Sequence, residues 1–342
     1  MSQLSIQGPL IGYEINSLSD AIKVLNILYN EGDFNAARCA IKIAFDFAQK
    51  LREHPSKPDL KKLCGIAGDV YGELGIEDIA LNHYAKLHFF QMQLNNNIFD
   101  GGNFKDTFKL FQFRRFTEYS LSNLLHREIT LTSPSQMNDI VDTPVFSWLN
   151  SPTFGQTSLH KGHLRFWKKS FDDYRIASFC INNPSKRQYA VKNTLMWSHY
   201  ADNHSGFCVE YEFHSDDFRK DNIDECSAAR LMKIKYINPK KNPLNFDPAP
   251  KSITTEQGFM TKSKDWEYEN EVRIIQYKPT GGTLREQYIL DPQTKIVAIY
   301  FGYRCTQTNI EIIKKLLEGE NIKYYKMDID YTNIHRLKYT KI

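Results

Sequence analysis

The hydrophobic residues of this 342-residue chain change their period once, and that change limits the folds open to it. From Ser19 to Gly32 the apolar residues Ile22, Leu25, Ile27, Leu28 and Tyr29 recur at helical spacing. From Phe108 to Phe116, FKLFQFRRF, aromatic or apolar residues alternate with basic ones, the period of a half-buried strand. Between these regimes lies the polar stretch Gln93 to Thr107, QLNNNIFDGGNFKDT, whose Gly101-Gly102 pair is a strong loop signal. The expected organisation is a helical domain over 1–95, a linker over 96–107 and a second domain over 108–342. In the second domain RIASFCIN, FCVEYEF, LMKIKYI, IVAIYFGY and NIKYYKMDI read as strands, with one clear late helix, TQTNIEIIKKLLEGE. Many short strands with few helices predict an α+β fold with a mostly antiparallel sheet.

Composition narrows the class. At 41% hydrophobic and 25% charged residues the chain is an ordinary soluble globular protein, long enough for two cores. Its start, MSQLSIQGPLIGYEIN, has no basic region followed by an apolar run, and no stretch approaches the length of a membrane span. A cytoplasmic protein without membrane contact is the expectation. Six cysteines without C-x-x-C spacing suggest neither a zinc site nor a disulfide framework. The formal charge of +4 conceals an asymmetry, −3 over residues 1–100 and +7 over the rest. The two parts are therefore expected to have different partners.

In the helical part a second helix starts at the N-cap candidate Asp33, runs through AARCAIKIAFDFAQKL and stops at His54-Pro55. The plan repeats as PDLKKLCGIAGDVYGEL, Gly75 and IEDIALNHYAKLHFFQM. Aligned on Gly32 and Gly75, Ala37 matches Ala80, Ile41 matches Tyr84 and Ala44 matches Leu87, with Gly68 and Tyr71 added before the second turn. Small residues at these positions let paired helices approach, and the pattern resembles the tetratricopeptide repeat. The resemblance implies a module that binds a protein partner, packs on the second domain or dimerises. Its period of about 43 residues exceeds the usual 34 or so.

Lys262 to Tyr277, KSKDWEYENEVRIIQY, concentrates ionisable groups in what reads as a strand from about Trp266. On a strand Glu267, Glu269, Glu271 and Arg273 would share one face, with Glu269 and Glu271 about 6.6 Å apart and able to address two atoms of one ligand. On a helix, Glu269 would instead pair with Arg273.

FQFR, SPSQMNDIVD, LMWSHYADNHSGFCVEY and TKSKDWEYENEVR, in that order between Phe108 and Tyr303, resemble an uncharacterised bacterial family of unknown function. The order of these stations is similar to that of the arginine, serine, glutamate class of ADP-ribosyltransferases. That resemblance implies an ADP-ribosyltransferase-like domain using NAD as substrate, with Arg114 on its pyrophosphate, Ser198 supporting the nicotinamide ribose and Glu269-Asn270-Glu271 as the E-x-E pair. Ser198-His199-Tyr200 departs from the usual serine station, so His199 or Tyr200 is an alternative there. Chemically, Glu271 would stabilise the oxocarbenium-like ribose and Glu269 would serve as base for the acceptor. The Arg114 fork suits phosphate, and Trp197, Tyr200 and Tyr268 are candidates to stack on a ring. A helical front end on such an enzyme suits a bacterial toxin or anti-phage effector. Two rival readings remain, a non-catalytic nucleotide sensor and, from His199, His204 and Glu210, a metal-dependent nuclease. The acceptor, protein or nucleic acid, is open.

Overall fold

Gly32 closes the first helix because it adopts a left-handed conformation, φ 77°, that a side chain disfavours. The helix α1, Leu18–Glu31, starts at Ser17, whose hydroxyl accepts from the Asp20 N–H at 3.1 Å. In the computed structural model the described residues are 10, 12–50, 57–76, 79–80, 83–84, 87, 107–137, 142, 171–214, 229–238, 258–277, 285–290, 292–332 and 336–342. After α1 come α2, Phe34–Lys50, and α3, Lys57–Glu73. Asp33 caps α2, accepting from the Ala36 N–H at 3.0 Å. Ala36, Ala37, Ala40 and Ala44 are all buried, and this small-residue face lets the three helices share one core with Leu25, Leu28 and Leu63. Ala80, Tyr84 and Leu87, the later partners of Ala37, Ile41 and Ala44, are buried too. Gly68 has a packing reason, since a Cβ there would lie 2.7 Å from the Tyr84 ring. The His54-Pro55 stop and the Gly101-Gly102 loop lie outside the described residues.

The chain divides into two compact units; α1 to α3 belong to the first, and the second holds Asn96–Asp142, Asp172–Pro243 and Met260–Ile342. The second unit is built on a ten-stranded, mostly antiparallel sheet. Its strands are β1 (Thr107–Arg114), β2 (Glu128–Thr132), β3 (Tyr174–Cys180), β4 (Phe207–His214), β5 (Arg230–Lys233), β8 (Glu271–Tyr277), β9 (Arg285–Ile289), β10 (Lys295–Phe301), β11 (Lys323–Ile329) and β12 (Leu337–Lys341). A separate parallel pair joins β6 (Lys235–Ile237) to β7 (Thr261–Ser263). Within the large sheet β10 and β11 run parallel, with α6 (Gln307–Leu316) between them in the chain.

The sheet has two different faces. Phe207, Val209, Tyr211 and Phe213 of β4 point into one core together with Leu124 of α4 (Glu118–His126) and Ile310 and Ile313 of α6. On the other face Cys208 and Tyr300 meet Met196 and Trp197 of the short helix α5 (Thr194–Tyr200). Alternation along each strand separates the two sets, as a sheet covered on both sides requires.

One expectation fails in an instructive way. The strand does not begin at Trp266: Lys264–Glu269 is a 3-10 helix, Asn270 is left-handed with φ 44°, and the strand starts at Glu271. Asn tolerates that conformation, and its side chain donates to the Ile181 carbonyl at 2.6 Å, which secures the break. Glu267 consequently faces outward to Lys186 at 3.0 Å and is no part of an anionic strand face. Among the described residues no helix is long and apolar enough to cross a membrane, and the described cysteines are free.

Candidate functional site

The sheet is split at β3. One edge of β3 pairs with β8 along its whole length, from Tyr174↔Tyr277 to Cys180↔Glu271. Its other edge is shared, β1 touching it at Phe111↔Cys180 and β2 at Thr132↔Ile176. Between those two contacts Ser178 has no ladder partner on this edge, where its carbonyl accepts from the Gln112 side chain at 3.4 Å, and it is exposed although it lies mid-strand. A cavity of about 470 Å³ occupies this opening, a volume in the range of small-molecule sites.

Charged groups converge at one end of the cavity. Lys262 Nζ lies 2.7 Å from Glu269, 3.2 Å from Glu271 and 3.4 Å from Asp142, and 5.0 Å above the Trp266 ring. Arg273, fully buried, binds Glu271 through Nε at 2.7 Å and Asp142 through Nη2 at 2.6 Å. Tyr200 donates to Glu269 at 2.6 Å, and the Tyr236 hydroxyl accepts from the Glu271 N–H at 2.8 Å. Three carboxylates thus face two cations, all of them buried, and each carboxylate has at least two donors to offset the cost of burial.

The two glutamates are driven apart. Burial raises the pKa of Glu269, and Glu271 adds to that, while Lys262 and Tyr200 only partly oppose it. Burial would raise Glu271 as well, but Arg273 and Lys262 outweigh it, with help from the Ser178 hydroxyl, and hold it down to about 2. Glu271 is therefore a fixed anion, and Glu269 is the member of the pair suited to carry a proton. Such splitting occurs in acid/base pairs and in structural ion-pair networks alike.

Arg114 lies at the other end. It is half-buried, burial pushes its pKa down, and among the described residues its hydrogen bond goes to Gln112 Oε1 at 2.8 Å, with no carboxylate partner. Arg115 and Arg285 line the same cavity. Arg114 is in register with Phe207 of β4, just after the turn that follows α5, where Asp202, Asn203 and His204 are all left-handed, φ 49°, 49° and 72°. The His204 N–H caps this turn by donating to the Trp197 carbonyl at 3.1 Å. A Cβ on Gly206 would fall 2.1 Å from the Arg114 carbonyl oxygen, so only glycine lets the turn approach β1 this closely.

A family model described as a protein of unknown function (DUF2971) matches residues 196–274. No curated protein and no solved structure matches the chain. The matched stretch opens in α5, includes the left-handed turn and Gly206, and ends in β8 beyond Glu269, Glu271 and Arg273. It is consistent with the uncharacterised family expected from the sequence, and FQFR and SPSQMNDIVD fall before it.

Of the residues singled out from sequence, Arg114, His199, Tyr200, Glu269 and Glu271 line the cavity. Ser198, Trp197 and Tyr268 are not in its lining. Ser198 sits in a helix and not at the start of a strand; its hydroxyl meets the Thr194 carbonyl and His204 Nε2, both at 3.1 Å, and so braces the turn. Trp197 is fully buried with its Nε1 donating to the Val191 carbonyl at 2.8 Å, and Tyr268 packs on the same core. Sequence reasoning passed over Lys262, Asp142 and Ser178. The first two stood at the edges of KSKDWEYENEVR and SPSQMNDIVD, but only the fold shows that these motifs meet. Ser178, in RIASFCIN, carried no signal, because its exposure follows from the split and not from local sequence. The geometry carries one further finding. By register, Arg114 pairs with Phe207 on one face, whereas Glu271 and Ser178 share the face of Cys180 and Phe111. The cavity is lined from both faces, and between its ends the Gln112 side chain accepts from Arg114 at 2.8 Å and donates to the Ser178 carbonyl at 3.4 Å.

Proposed function

We propose that this protein is an NAD-consuming enzyme of the ADP-ribosyltransferase kind, acting as a transferase or as an NAD glycohydrolase. The observation that carries the reading is that an arginine without a carboxylate partner and a glutamate pair with oppositely shifted pKa values line one cavity in a split antiparallel sheet. An extended dinucleotide suits such a cavity, with its pyrophosphate at the Arg114 fork and its nicotinamide ribose at the glutamates. Cleavage of the bond between ribose and nicotinamide leaves positive charge on the ribose, and the fixed Glu271 anion stabilises it without rearrangement. Arg273, Lys262 and Ser178 hold that carboxylate in place. Glu269, with its raised pKa and its Tyr200 bond, takes the proton of the attacking acceptor or water. In this reading Ser178 takes the serine station assigned from sequence to Ser198.

The helical unit serves in this reading as a tetratricopeptide-like module that binds a protein partner or pairs two copies, and the whole as a cytoplasmic toxin or anti-phage effector. A second reading, a nucleotide sensor without turnover, is favoured by one observation: Glu271 is already saturated by Arg273 and Lys262. Incubation with NAD and chromatography of free nicotinamide separates the two. Release at a rate set by protein concentration supports the enzyme; NAD binding with no release supports the sensor.

A further inference from the structure

Beyond the cavity, the sheet face that α5 covers runs on to β12, where Tyr300, Met327 and Leu337 are buried but Lys295, Lys323, Tyr339 and Lys341 are exposed among the described residues. By register, Tyr300, Tyr325 and Lys341 lie side by side across β10, β11 and β12, and Met327 and Tyr339 pair on the same face. The three tyrosines form one cluster, with ring centroids of Tyr300 and Tyr325 4.8 Å apart and nearly parallel, and Tyr339 edge-on at 5.2 Å and 5.3 Å from them. Tyr300 is buried, Tyr325 half-buried and Tyr339 40% exposed, so the cluster rises from core to solvent. Lys192 Nζ stands 5.9 Å from the Tyr339 ring and 5.7 Å from that of Tyr189, itself exposed.

Lysines surround these rings. On the same face β10 adds Lys295 and β11 adds Lys323, both exposed. Among the described residues, Lys192, Lys295, Lys323 and Lys341 have no carboxylate partner. The acid beneath them, Glu210, is taken by Lys109 at 2.5 Å and by the Tyr300 hydroxyl at 2.8 Å. Glu212, between Lys109 and Lys295, is the remaining acid on this face of β4. From Lys109 on β1 to Lys341 on β12 the patch crosses four strand spacings, about 19 Å.

We propose that this face binds single-stranded nucleic acid, with a base stacking on the exposed Tyr339, which Tyr300 and Tyr325 support from below, and phosphates meeting the surrounding lysines. Aromatic rings flanked by lysines that have no carboxylate partner among the described residues offer both contacts that a single strand uses, and a paired helix cannot bring the faces of its bases to a sheet. An acidic peptide would use the lysines but not the stacked rings. The proposal does not depend on turnover at the cavity.

The test is fluorescence anisotropy of the full chain with a labelled single-stranded DNA of about 12 nucleotides, titrated over a range of salt. Tyr339→Ala is expected to weaken binding on the order of tenfold, while Tyr339→Phe, which keeps the ring, binds as the parent does. Replacing Lys323 and Lys341 together by Gln should flatten the slope of log affinity against log salt by about 1.4, or about 0.7 per phosphate contact on a single strand. Absence of binding at low salt, an unchanged affinity for Tyr339→Ala, or a duplex competing as well as the single strand would each overturn the proposal. Nicotinamide release by these variants is expected to match the parent, so failure here and failure at the cavity are read separately.

Discussion

Removing the Lys262 ammonium tests the charged network most severely. Lys262→Met keeps most of the volume and leaves Asp142 and Glu271 to Arg273 and Glu269 to the Tyr200 hydroxyl, with no cation in contact with Glu269. At an effective dielectric of about 20, each contact at 2.7 to 3.4 Å is worth about 5 to 6 kcal/mol gross, most of it offset by the cost of burying the lysine. Breaking one side of a buried ion pair costs about 3–5 kcal/mol net, and in a chain of this size that lowers the melting temperature by about 4–7 °C. The loss also depends on pH with a definite sign. Glu269 already has a raised pKa, and without Lys262 it rises further. The folded state then holds a proton that the unfolded chain releases near its ordinary value, so stability falls as pH rises through the folded pKa. Circular dichroism melts between about pH 5 and pH 8 should therefore show the deficit widening with pH. Adding Glu269→Gln should recover part of it and flatten the trend. A melting shift below about 2 °C, or a deficit independent of pH, would refute the account of a network balanced by Lys262.

Glu271 gives the opposite trend: its folded pKa of about 2 lies below the ordinary 4.5, so its contribution, about 3 kcal/mol, is present above the ordinary value and lost as pH falls toward 2. Glu271→Gln should abolish that acid limb in a pH series of melts. Arg114→Lys should weaken NAD binding on the order of tenfold by calorimetry, because a point charge does not reproduce the two-pronged fork; unchanged affinity removes Arg114 from the phosphate site. Gly206→Ala should cost more than about 2 kcal/mol and reduce NAD affinity, since the added methyl pushes against the Arg114 carbonyl, as a combined melt and titration would show.

The regular elements were legible in the sequence, and the site was legible only in pieces. Helix ends at Gly32 and Asp33 follow from capping chemistry that acts over three or four residues, whereas the first helix starts at the Ser17 cap, two residues before the Ser19 expected from the apolar pattern. β1 and β4 read as strands from their apolar pattern, but β1 is not the half-buried strand expected, since Leu110, Phe111, Gln112 and Phe113 are all buried beneath the layers on both faces, and Arg115 lies just past its end. The stretch from Lys264 to Asn270 misled because its glutamates alternate as a strand's would, while Ser263 caps a 3-10 turn and Asn270 ends it, and those local bonds outweigh the pattern. Ser198 misled for a related reason: the apolar residues around it are as consistent with one helical turn as with a strand end. Lys262, Asp142 and Ser178 come from three separate places in the chain, and nothing local says that they meet. The split at β3 is a property of register across four strands, which a single sequence does not encode in any short segment.

The most direct measurement is the initial rate of nicotinamide release from NAD by the parent, Glu271→Gln and Glu269→Gln, compared at equal NAD occupancy fixed by calorimetry. The account predicts that Glu271→Gln loses on the order of 10² to 10³ in rate with binding preserved, as loss of a preorganised charge does. Glu269→Gln should lose transfer to an acceptor yet keep much of the slow hydrolysis, because water needs less activation once the ribose cation has formed. No nicotinamide from a parent protein that binds NAD would contradict the account and leave the cavity as a sensor.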